Sequence, residues 1–179
     1  VIQALKKNGI DSVLLTGDRK AVAQAVAQEV GITNYMAEVL PADKHNEVLK
    51  LKSDGKIIGM LGDGINDAPA LVAADIGLSF QGGTDIAINA ADIIFLNPSL
   101  KNVIYSHRIA KATISKIHQN LFWAFIYNLA GIPIAMGLLY PFTGILLNPM
   151  FAGMAMAFSS VSVVSNTLLL RSRKFFRDD

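Results

Sequence analysis

Two long stretches without a single charged side chain constrain the fold more than any other feature of this chain. The first, Leu121–Tyr140, has 20 residues, and the second, Asn148–Leu170, has 23. A helix of about 20 apolar residues crosses the ~30 Å hydrocarbon core of a bilayer. Between the stretches, residues 141–144 read Pro-Phe-Thr-Gly, which is a turn signal. The sequence therefore predicts a two-helix transmembrane hairpin, with spans at residues 120–140 and 148–170.

Charged residues are distributed unequally around these stretches. Residues 1–100 contain 8 Lys and Arg against 12 Asp and Glu, whereas residues 101–179 contain 8 against 2. Basic residues flank both spans, and the loop between the spans has none. Because basic flanks stay in the cytoplasm, residues 1–119 and a basic tail, 171–179, are predicted to be cytoplasmic in a multi-pass protein of the plasma (inner) membrane. The lipid bilayer accounts for these basic residues, so no nucleic-acid partner is expected.

The first hundred residues alternate between strand and helix patterns. A composition of 52% hydrophobic and 17% charged residues excludes a disordered chain, and the absence of cysteine excludes a disulfide scaffold or a zinc-thiolate site. Strand patterns cover residues 12–16, 35–39, 56–61, 76–79 and 93–96, and helix patterns cover 19–30, 42–52 and a segment from 66. This alternation predicts an α/β fold with a parallel sheet over residues 1–98. A basic helix at 99–119 is predicted to be a stalk that leads into the first span.

Polar groups follow the two clearest strand patterns. Thr16-Gly17-Asp18 ends the first, and Asp63-Gly64-Ile65-Asn66-Asp67 ends the other. Ligands of an open α/β sheet bind beyond the carboxyl ends of its strands, so these groups are expected to meet. The carboxylates of Asp63 and Asp67 suit Mg2+, while a threonine hydroxyl, backbone N–H groups and Lys44 suit a phosphoryl group. Taken singly, each feature is more often a common turn or a solvated lysine than part of a site.

The complete motifs are more specific than their parts. Residues 62–71 read GDGINDAPAL, and they are preceded by LLTGD at 14–18 and PADK at 41–44. This combination resembles the phosphorylation domain of heavy-metal-transporting P-type ATPases, and the two uncharged stretches that follow are similar to the end of such pumps. The resemblance implies a partial haloacid-dehalogenase-like Rossmann domain, in which ATP transiently phosphorylates an aspartate. ATP itself would be bound mainly by a nucleotide-binding domain that this sequence does not contain.

The same resemblance implies roles for individual residues. Asp63 would bind Mg2+, and Asn66 and Asp67 would order the site around it. Thr16 would contact the phosphoryl group, and Lys44 would neutralise its charge. Gly17 and Asp18 would complete the phosphate and nucleotide site. Phosphoryl transfer depends mainly on positioning and charge neutralisation, so this set of groups suits that chemistry.

Polar and sulfur-bearing residues inside the uncharged stretches bear on the transported ion. The first stretch contains Tyr127-Asn128, and the second contains Met156 with Ser159 and Ser160 on the same helix face. A thioether favours Cu(I), although methionine is also an ordinary apolar filler and serine an ordinary helix-packing residue. Tyr-Asn and Met-x-x-Ser-Ser are similar to the copper(I)-exporting branch; the lysine and Asp-x-Gly of the zinc branch do not occur here. The resemblance implies Cu+ as cargo, Ag+ as an equally suitable ion and a copper chaperone as a partner.

One departure from the family pattern limits the activity expected of the chain alone. The family's phosphorylated aspartate lies in a DKTG string, and this sequence has none. We therefore expect a C-terminal piece of a longer pump that is inactive by itself. The alternatives are a pump for Ag+ or Zn2+, a membrane-anchored haloacid-dehalogenase-type phosphatase, and a non-catalytic regulatory fragment. A DxDG(T/S) string upstream would favour the phosphatase.

Overall fold

The computed structural model describes residues 1–144, 149–173 and 175–176. Within these ranges the side chains of six residues lie outside the description: Thr143, Pro149, Phe151, Ala152, Ala155 and Met156. The chain divides into two compact units, residues 1–104 and 105–179. The first unit contains the strands, and the second contains helices.

The first unit confirms the predicted alternation of strands and helices. Its elements are α1 (Ile2–Lys7), β1 (Val13–Leu15), α2 (Lys20–Val30), β2 (Asn34–Met36), α3 (Pro41–Ser53), β3 (Gly59–Leu61), a 3-10 turn (Ile65–Asp67), α4 (Ala68–Ala73), β4 (Ile76–Phe80), α5 (Asp85–Ala90) and β5 (Ile93–Phe95). The short helices α1 and α5 have no counterpart among the sequence predictions, because six residues are too few to establish a helical period.

The five strands form two parallel sheets rather than one. In the first, β1 pairs with β2, with Leu14 opposite Tyr35. In the second, the strand order is β3-β4-β5, with Met60 opposite Gly77 and Ser79 opposite Ile94. Among the described residues β1 and β3 therefore each have one strand partner. The strands β2 and β5 likewise have one described strand partner each, and the predicted single sheet is divided into two.

Small side chains allow the helices to pack closely in this unit. Ala23 and Ala27 of α2 are 1% exposed, and Ala70 of α4 and Ala87 of α5 are fully buried. Helix α3 packs against α4, and α2 packs against β2. The contact between α3 and α4 matters for function because it joins the element that follows β2 to the element that follows β3.

Helix α6 (Lys101–Ala135) dominates the second unit and combines two predicted segments. It continues without interruption through the predicted boundary between stalk and span at residues 119 and 120. It ends five residues earlier than the predicted span: Gly137 adopts a left-handed conformation (φ 93°), and its N–H donates to the carbonyl of Ile134.

Two further helices complete the second unit. The predicted turn at 141–144 is mostly a helical turn, α7 (Tyr140–Thr143), which Gly144 ends with a φ of 65°. Helix α8 (Pro149–Leu168) contains most of the second predicted span, whose first residue lies outside the described ranges. In the described part of the chain, no helix combines the length and the apolar character needed to span a membrane. The transmembrane hairpin is thus not confirmed and stays a prediction.

Candidate functional site

An ion pair between Lys44 and Asp67 lies at the centre of the candidate site. The Lys44 ammonium donates to Asp67 Oδ1 at 2.6 Å, and the two side chains are 16% and 14% exposed. Lys44 lies in the first turn of α3, and Asp67 ends the 3-10 turn that follows β3. The pair thus joins PADK to GDGIND across 23 residues of sequence.

Asp67 also closes the loop that contains it. Its second carboxylate oxygen, Oδ2, accepts a hydrogen bond from the Gly64 N–H at 3.1 Å. Gly62 leaves room for this side chain: a Cβ on Gly62 would lie 2.6 Å from the Asp67 Cβ and 2.9 Å from its Cγ. Both carboxylate oxygens are therefore engaged within the protein. This arrangement makes Asp67 an anchor for Lys44 and for the loop, and its role as a Mg2+ ligand stays a prediction.

Asp63, by contrast, presents an exposed carboxylate two residues beyond the end of β3. Its main chain is held by a second loop, because the Thr84 N–H donates to the Asp63 carbonyl at 2.9 Å. Gly83 permits this approach, since a Cβ there would lie 3.0 Å from the same carbonyl oxygen. The described residues contain no cluster of three or more acidic or histidine side chains suited to a metal ion. A single carboxylate supplemented by water and phosphoryl oxygens fits Mg2+, which usually keeps several waters and takes few protein ligands.

Thr16 and Asp18 form a compact turn immediately after β1. The Thr16 hydroxyl donates to Asp18 Oδ2 at 2.8 Å and accepts from the Asp18 N–H at 3.2 Å. The segment after β2 supports this turn, because the Val39 N–H donates to the Thr16 carbonyl and the Glu38 N–H donates to the Asp18 carbonyl. To donate to a phosphoryl oxygen, the Thr16 hydroxyl must release Asp18. A Cβ placed on Gly17 would lie 3.4 Å from the Val39 carbonyl oxygen.

The structure thus brings the predicted site residues into two groups. Lys44 and Asp67 form one group with the loop around Asp63, and Thr16 and Asp18 form the other. Among the described residues no hydrogen bond joins Thr16 to Asp63. Asn66 lies exposed in the 3-10 turn. The catalytic roles assigned to these residues stay predictions.

The residues predicted to bind the transported ion lie on α6 and α8. The Tyr127 ring packs against Trp123 with ring centroids 6.2 Å apart, and the Asn128 amide donates back to the Ala124 carbonyl at 2.9 Å. On α8, Ser159 is half-buried and Ser160 is exposed. The side chain of Met156 lies outside the described residues. The copper site therefore stays a prediction as well.

Sequence reasoning missed two backbone supports of the site. One is the Gly83-Thr84 pair: the Thr84 N–H bonds to the Asp63 carbonyl, and Gly83 leaves room for it. The available signal was the string GGTD, which is a third turn sequence at the end of a strand. The other is Glu38, which adopts a left-handed conformation (φ 57°) that is rare for a residue other than glycine. No composition or spacing rule marks Glu38, whose N–H donates to the carbonyl of Asp18, 20 residues earlier.

Comparison with known proteins identifies the relatives of this chain. The family model for haloacid dehalogenase-like hydrolases matches residues 1–75. A probable copper-transporting ATPase PacS from Synechocystis sp. is 53% identical over 96% of this chain. A copper-exporting P-type ATPase from Legionella pneumophila is 51% identical over 95% of it. The chain spans 23% of the length of each of these two relatives.

A solved structure resembles the chain over a similar extent. The crystal structure of a zinc-transporting PIB-type ATPase superimposes with a TM-score of 0.81 and 35% sequence identity, covering 94% of this chain and 26% of the other. Close homologues of this chain are thus copper-transporting P-type ATPases, which confirms the resemblance inferred from the GDGINDAPAL, LLTGD and PADK motifs.

Proposed function

We propose that this chain is a segment of an ATP-driven copper(I) export pump: the later part of its phosphorylation domain together with two membrane helices. The intact protein would transfer the γ-phosphoryl group of ATP to an aspartate outside this chain, release ADP, and then hydrolyse the acyl phosphate with water. Movement of Cu+ across the membrane would be coupled to this cycle. The homology with copper-transporting ATPases over 96% of the chain supports the proposal.

The proposed catalytic roles rest on one observation: both carboxylate oxygens of Asp67 accept hydrogen bonds within the protein. Because Lys44 and Gly64 occupy both of its carboxylate oxygens, Asp63 is the acidic group of this loop with an exposed carboxylate. We therefore propose Asp63 as the Mg2+ ligand and Asp67 as the residue that positions Lys44. When bound, Mg2+ would supply positive charge to the phosphoryl oxygens. Lys44 would supply a second positive charge, held in place by the 2.6 Å bond to Asp67.

The interruption between the two sheets suggests where the phosphorylated aspartate belongs. Both β1 and β3 are parallel strands with one described strand partner each, and Thr16 and Asp63 follow their carboxyl ends. A parallel strand placed between them would complete one sheet and bring its own carboxyl end between these two groups. We propose that the acceptor aspartate lies at the end of such a strand, contributed by another part of the intact protein.

Exposed apolar side chains support the proposed membrane hairpin. On α6, Phe125 is 65% exposed and Leu129 is 72% exposed, and on α8 Phe158 is 66% exposed. Apolar surface of this extent marks a membrane or protein contact. In the proposed pump, Tyr127, Asn128, Met156, Ser159 and Ser160 would line the path of Cu+, with both ends of the hairpin on the cytoplasmic side of the plasma (inner) membrane. A copper chaperone would deliver the ion.

ATP hydrolysis by the purified full-length protein, measured with each metal in turn, tests the proposal. Cu+ is expected to stimulate hydrolysis and Ag+ to substitute for it, because both favour thioether ligands. Met156→Ala is expected to weaken this stimulation, and Met150→Ala, in the same helix, serves as the control. Asp63→Asn is expected to abolish formation of the acyl phosphate.

Three results would contradict the proposal. Stimulation by Zn2+ without stimulation by Cu+ would assign the protein to zinc transport, which the similarity to a zinc-transporting ATPase makes a specific alternative. Metal-independent hydrolysis of small phosphate esters would indicate a phosphatase. Unchanged copper stimulation in Met156→Ala would remove Met156 from the ion path.

A further inference from the structure

A chain of side-chain hydrogen bonds joins α6 to α8 within the second unit. The Lys116 ammonium donates to Asn166 Oδ1 at 2.6 Å, and the Asn166 amide donates to Asn120 Oδ1 at 2.7 Å. The Asn120 amide then donates to the Thr167 hydroxyl at 2.8 Å, and that hydroxyl donates to the Val163 carbonyl at 2.8 Å. We call Lys116, Asn120, Asn166 and Thr167 the interhelix clamp.

Lys116 is an unusual residue to find in this position. It is only 8% exposed, and its second hydrogen bond goes to Gln119 Oε1 at 3.1 Å, so its described partners are both neutral amides. Burying an ammonium group is unfavourable unless hydrogen bonds compensate for the lost water. Hydrogen bonds that involve a charged group are stronger than neutral ones. The buried Lys116 is therefore a specific joint between the helices, to which the more exposed Asn120 and Thr167 add a second bond.

The clamp also fixes how the two helices are aligned along their axes. The helices run antiparallel: Asn120 of α6 contacts Thr167 of α8, while Tyr105, earlier on α6, stacks edge-on against Phe176, beyond the end of α8, with ring centroids 5.3 Å apart. Seven residues advance a helix by about 10 Å and return to nearly the same face. This rule allows positions on the two helices to be compared by counting from the clamp.

Counting in this way brings the predicted ion-binding residues of the two helices to the same level. Tyr127 lies seven residues after Asn120 on α6. Ser159 lies seven residues before Asn166 on α8, and Ser160 lies seven residues before Thr167. The clamp side chains face each other, and by this count Tyr127 and the serine pair are expected on the same two stripes, two turns further along. If one helix slipped by one turn along the other, Tyr127 and the serine pair would be displaced from each other by about 5 Å.

We propose that the interhelix clamp sets the alignment of α6 and α8 and thereby holds the two halves of the ion-binding site level with each other. Lys116 and Asn166 are then positioning residues, which act on the transported ion through Tyr127 and the serines without touching it. This inference rests on the proposed copper-transport function for its ion, but the alignment itself can be tested separately.

Disulfide cross-linking in the full-length protein tests the alignment. Ala124 lies four residues after Asn120, Val163 lies four residues before Thr167, and both are half-buried. Under mild oxidation the pair Ala124→Cys and Val163→Cys is expected to cross-link, whereas either single variant is not. Phe125→Cys with Val161→Cys, two exposed positions off the facing stripes, is the negative control. Adding Lys116→Met and Asn166→Leu is expected to reduce cross-linking of the first pair several-fold.

Metal affinity tests the consequence of that alignment. Lys116→Met is expected to raise the half-saturating Cu+ concentration for ATP hydrolysis about tenfold, which corresponds to about 1.4 kcal/mol. The maximal rate of ATP hydrolysis should change less than the half-saturating Cu+ concentration. Phosphorylation of the variant by inorganic phosphate in the absence of copper should be retained, and this would show that the variant is folded. Asn166→Asp keeps an acceptor for Lys116 and is expected to restore most of the affinity lost in Asn166→Leu. Lys111→Met, on an exposed part of α6, is the matched control.

The outcomes separate the two proposals. Unchanged cross-linking in the clamp variants overturns the alignment role, whatever ion is transported. Reduced cross-linking with unchanged copper affinity overturns the link to the ion site. Absence of copper-stimulated hydrolysis in the unsubstituted protein overturns the proposed function, while the cross-linking result still decides the alignment.

Discussion

At the scale of single residues, the two aspartates of GDGIND have different environments although the motif presents them alike. Asp67 binds Lys44 and the Gly64 N–H, whereas Asp63 is exposed. The sequence predicted both as Mg2+ ligands from their spacing. Spacing could not reveal their different environments, because the partner of Asp67 comes from α3, a different element; the Mg2+ roles themselves stay predictions.

We predict that Lys44→Met and Asp67→Asn differ in their effect on phosphorylation. Each weakens a partly buried ion pair and is expected to lower the free energy of unfolding by about 1–3 kcal/mol. Lys44→Met also removes a charge from the site and is expected to slow phosphoryl transfer from ATP about a hundredfold or more. Asp67→Asn keeps an oxygen for Lys44 and should slow it less.

Thermal unfolding and rapid-quench phosphorylation of the full-length protein measure these two effects. Lys50→Met is the control, since Lys50 lies on the same helix and makes only a 3.7 Å ion pair at the surface. Equal phosphorylation rates in Lys44→Met and the control would remove Lys44 from the reaction.

Gly62→Ala is predicted to disturb the same loop through steric overlap. The added Cβ would lie 2.6 Å from the Asp67 Cβ, and Asp67 cannot move freely because both of its carboxylate oxygens are bonded. Overpacking of this kind costs about 1–3 kcal/mol, so we expect reduced stability and reduced phosphorylation. Gly82→Ala is the matched control, because nothing lies within 4 Å of its Cβ position. A Gly62→Ala protein as stable and active as Gly82→Ala would contradict the prediction.

At the scale of elements, aspartates tie strand ends together by bonding to neighbouring main chain. Asp75, just before β4, accepts from the Ile58 N–H at 2.8 Å and binds Lys52 of α3 at 3.0 Å. Asp92, just before β5, accepts from the Gly77 N–H at 2.7 Å. Each follows an Ala-Ala pair and precedes an isoleucine, so the string Ala-Ala-Asp-Ile occurs twice. These bonds fix the start of each strand against its neighbour.

Stability is predicted to fall in acid partly because of Asp75. The Ile58 N–H, followed by the Lys52 ammonium, lowers the pKa of the Asp75 carboxyl below its ordinary value. The unfolded chain then binds a proton more readily than the folded one, so this contribution is present above about pH 4 and is lost as the pH falls through the lowered pKa.

Urea unfolding of the full-length protein between about pH 7 and pH 3, a range that brackets the ordinary pKa of an aspartate, measures this contribution. Asp75→Asn is expected to be less stable than the unsubstituted protein at neutral pH and to lose less stability on acidification. Asp54→Asn, at the end of α3, is the control. Parallel pH profiles for Asp75→Asn and the unsubstituted protein would show that Asp75 does not contribute.

At the scale of the whole molecule, the surface formed by the unpaired edges of β1 and β3 has a consequence for behaviour in solution. A strand edge with free N–H and C=O groups readily pairs with another chain. We predict that the isolated chain self-associates as its concentration rises, and that the full-length protein in detergent does not associate through this surface. Analytical ultracentrifugation over a range of concentrations would show the difference.

A second measurement separates edge pairing from association through apolar helices. Residues 1–104 alone lack most of α6 and all of α8, and they are expected to associate as well. A peptide with the sequence of the strand proposed to end at the phosphorylated aspartate should reduce their association, whereas a scrambled peptide should not. A monomeric 1–104 segment would contradict the prediction.

The sequence alone predicted the kind of chemistry and determined the order of the elements. Fixed strings such as GDGINDAPAL predict a phosphate site because each needs a particular backbone path, and strand and helix periods depend only on nearby residues. The tertiary structure decided what depends on contacts distant in sequence: that Asp67 bonds to Lys44, that Gly83 and Thr84 hold Asp63, that the strands form two sheets, and that Lys116 of α6 is buried against Asn166 of α8. Such contacts join residues 15 to 50 positions apart, and no local pattern encodes which of them will form.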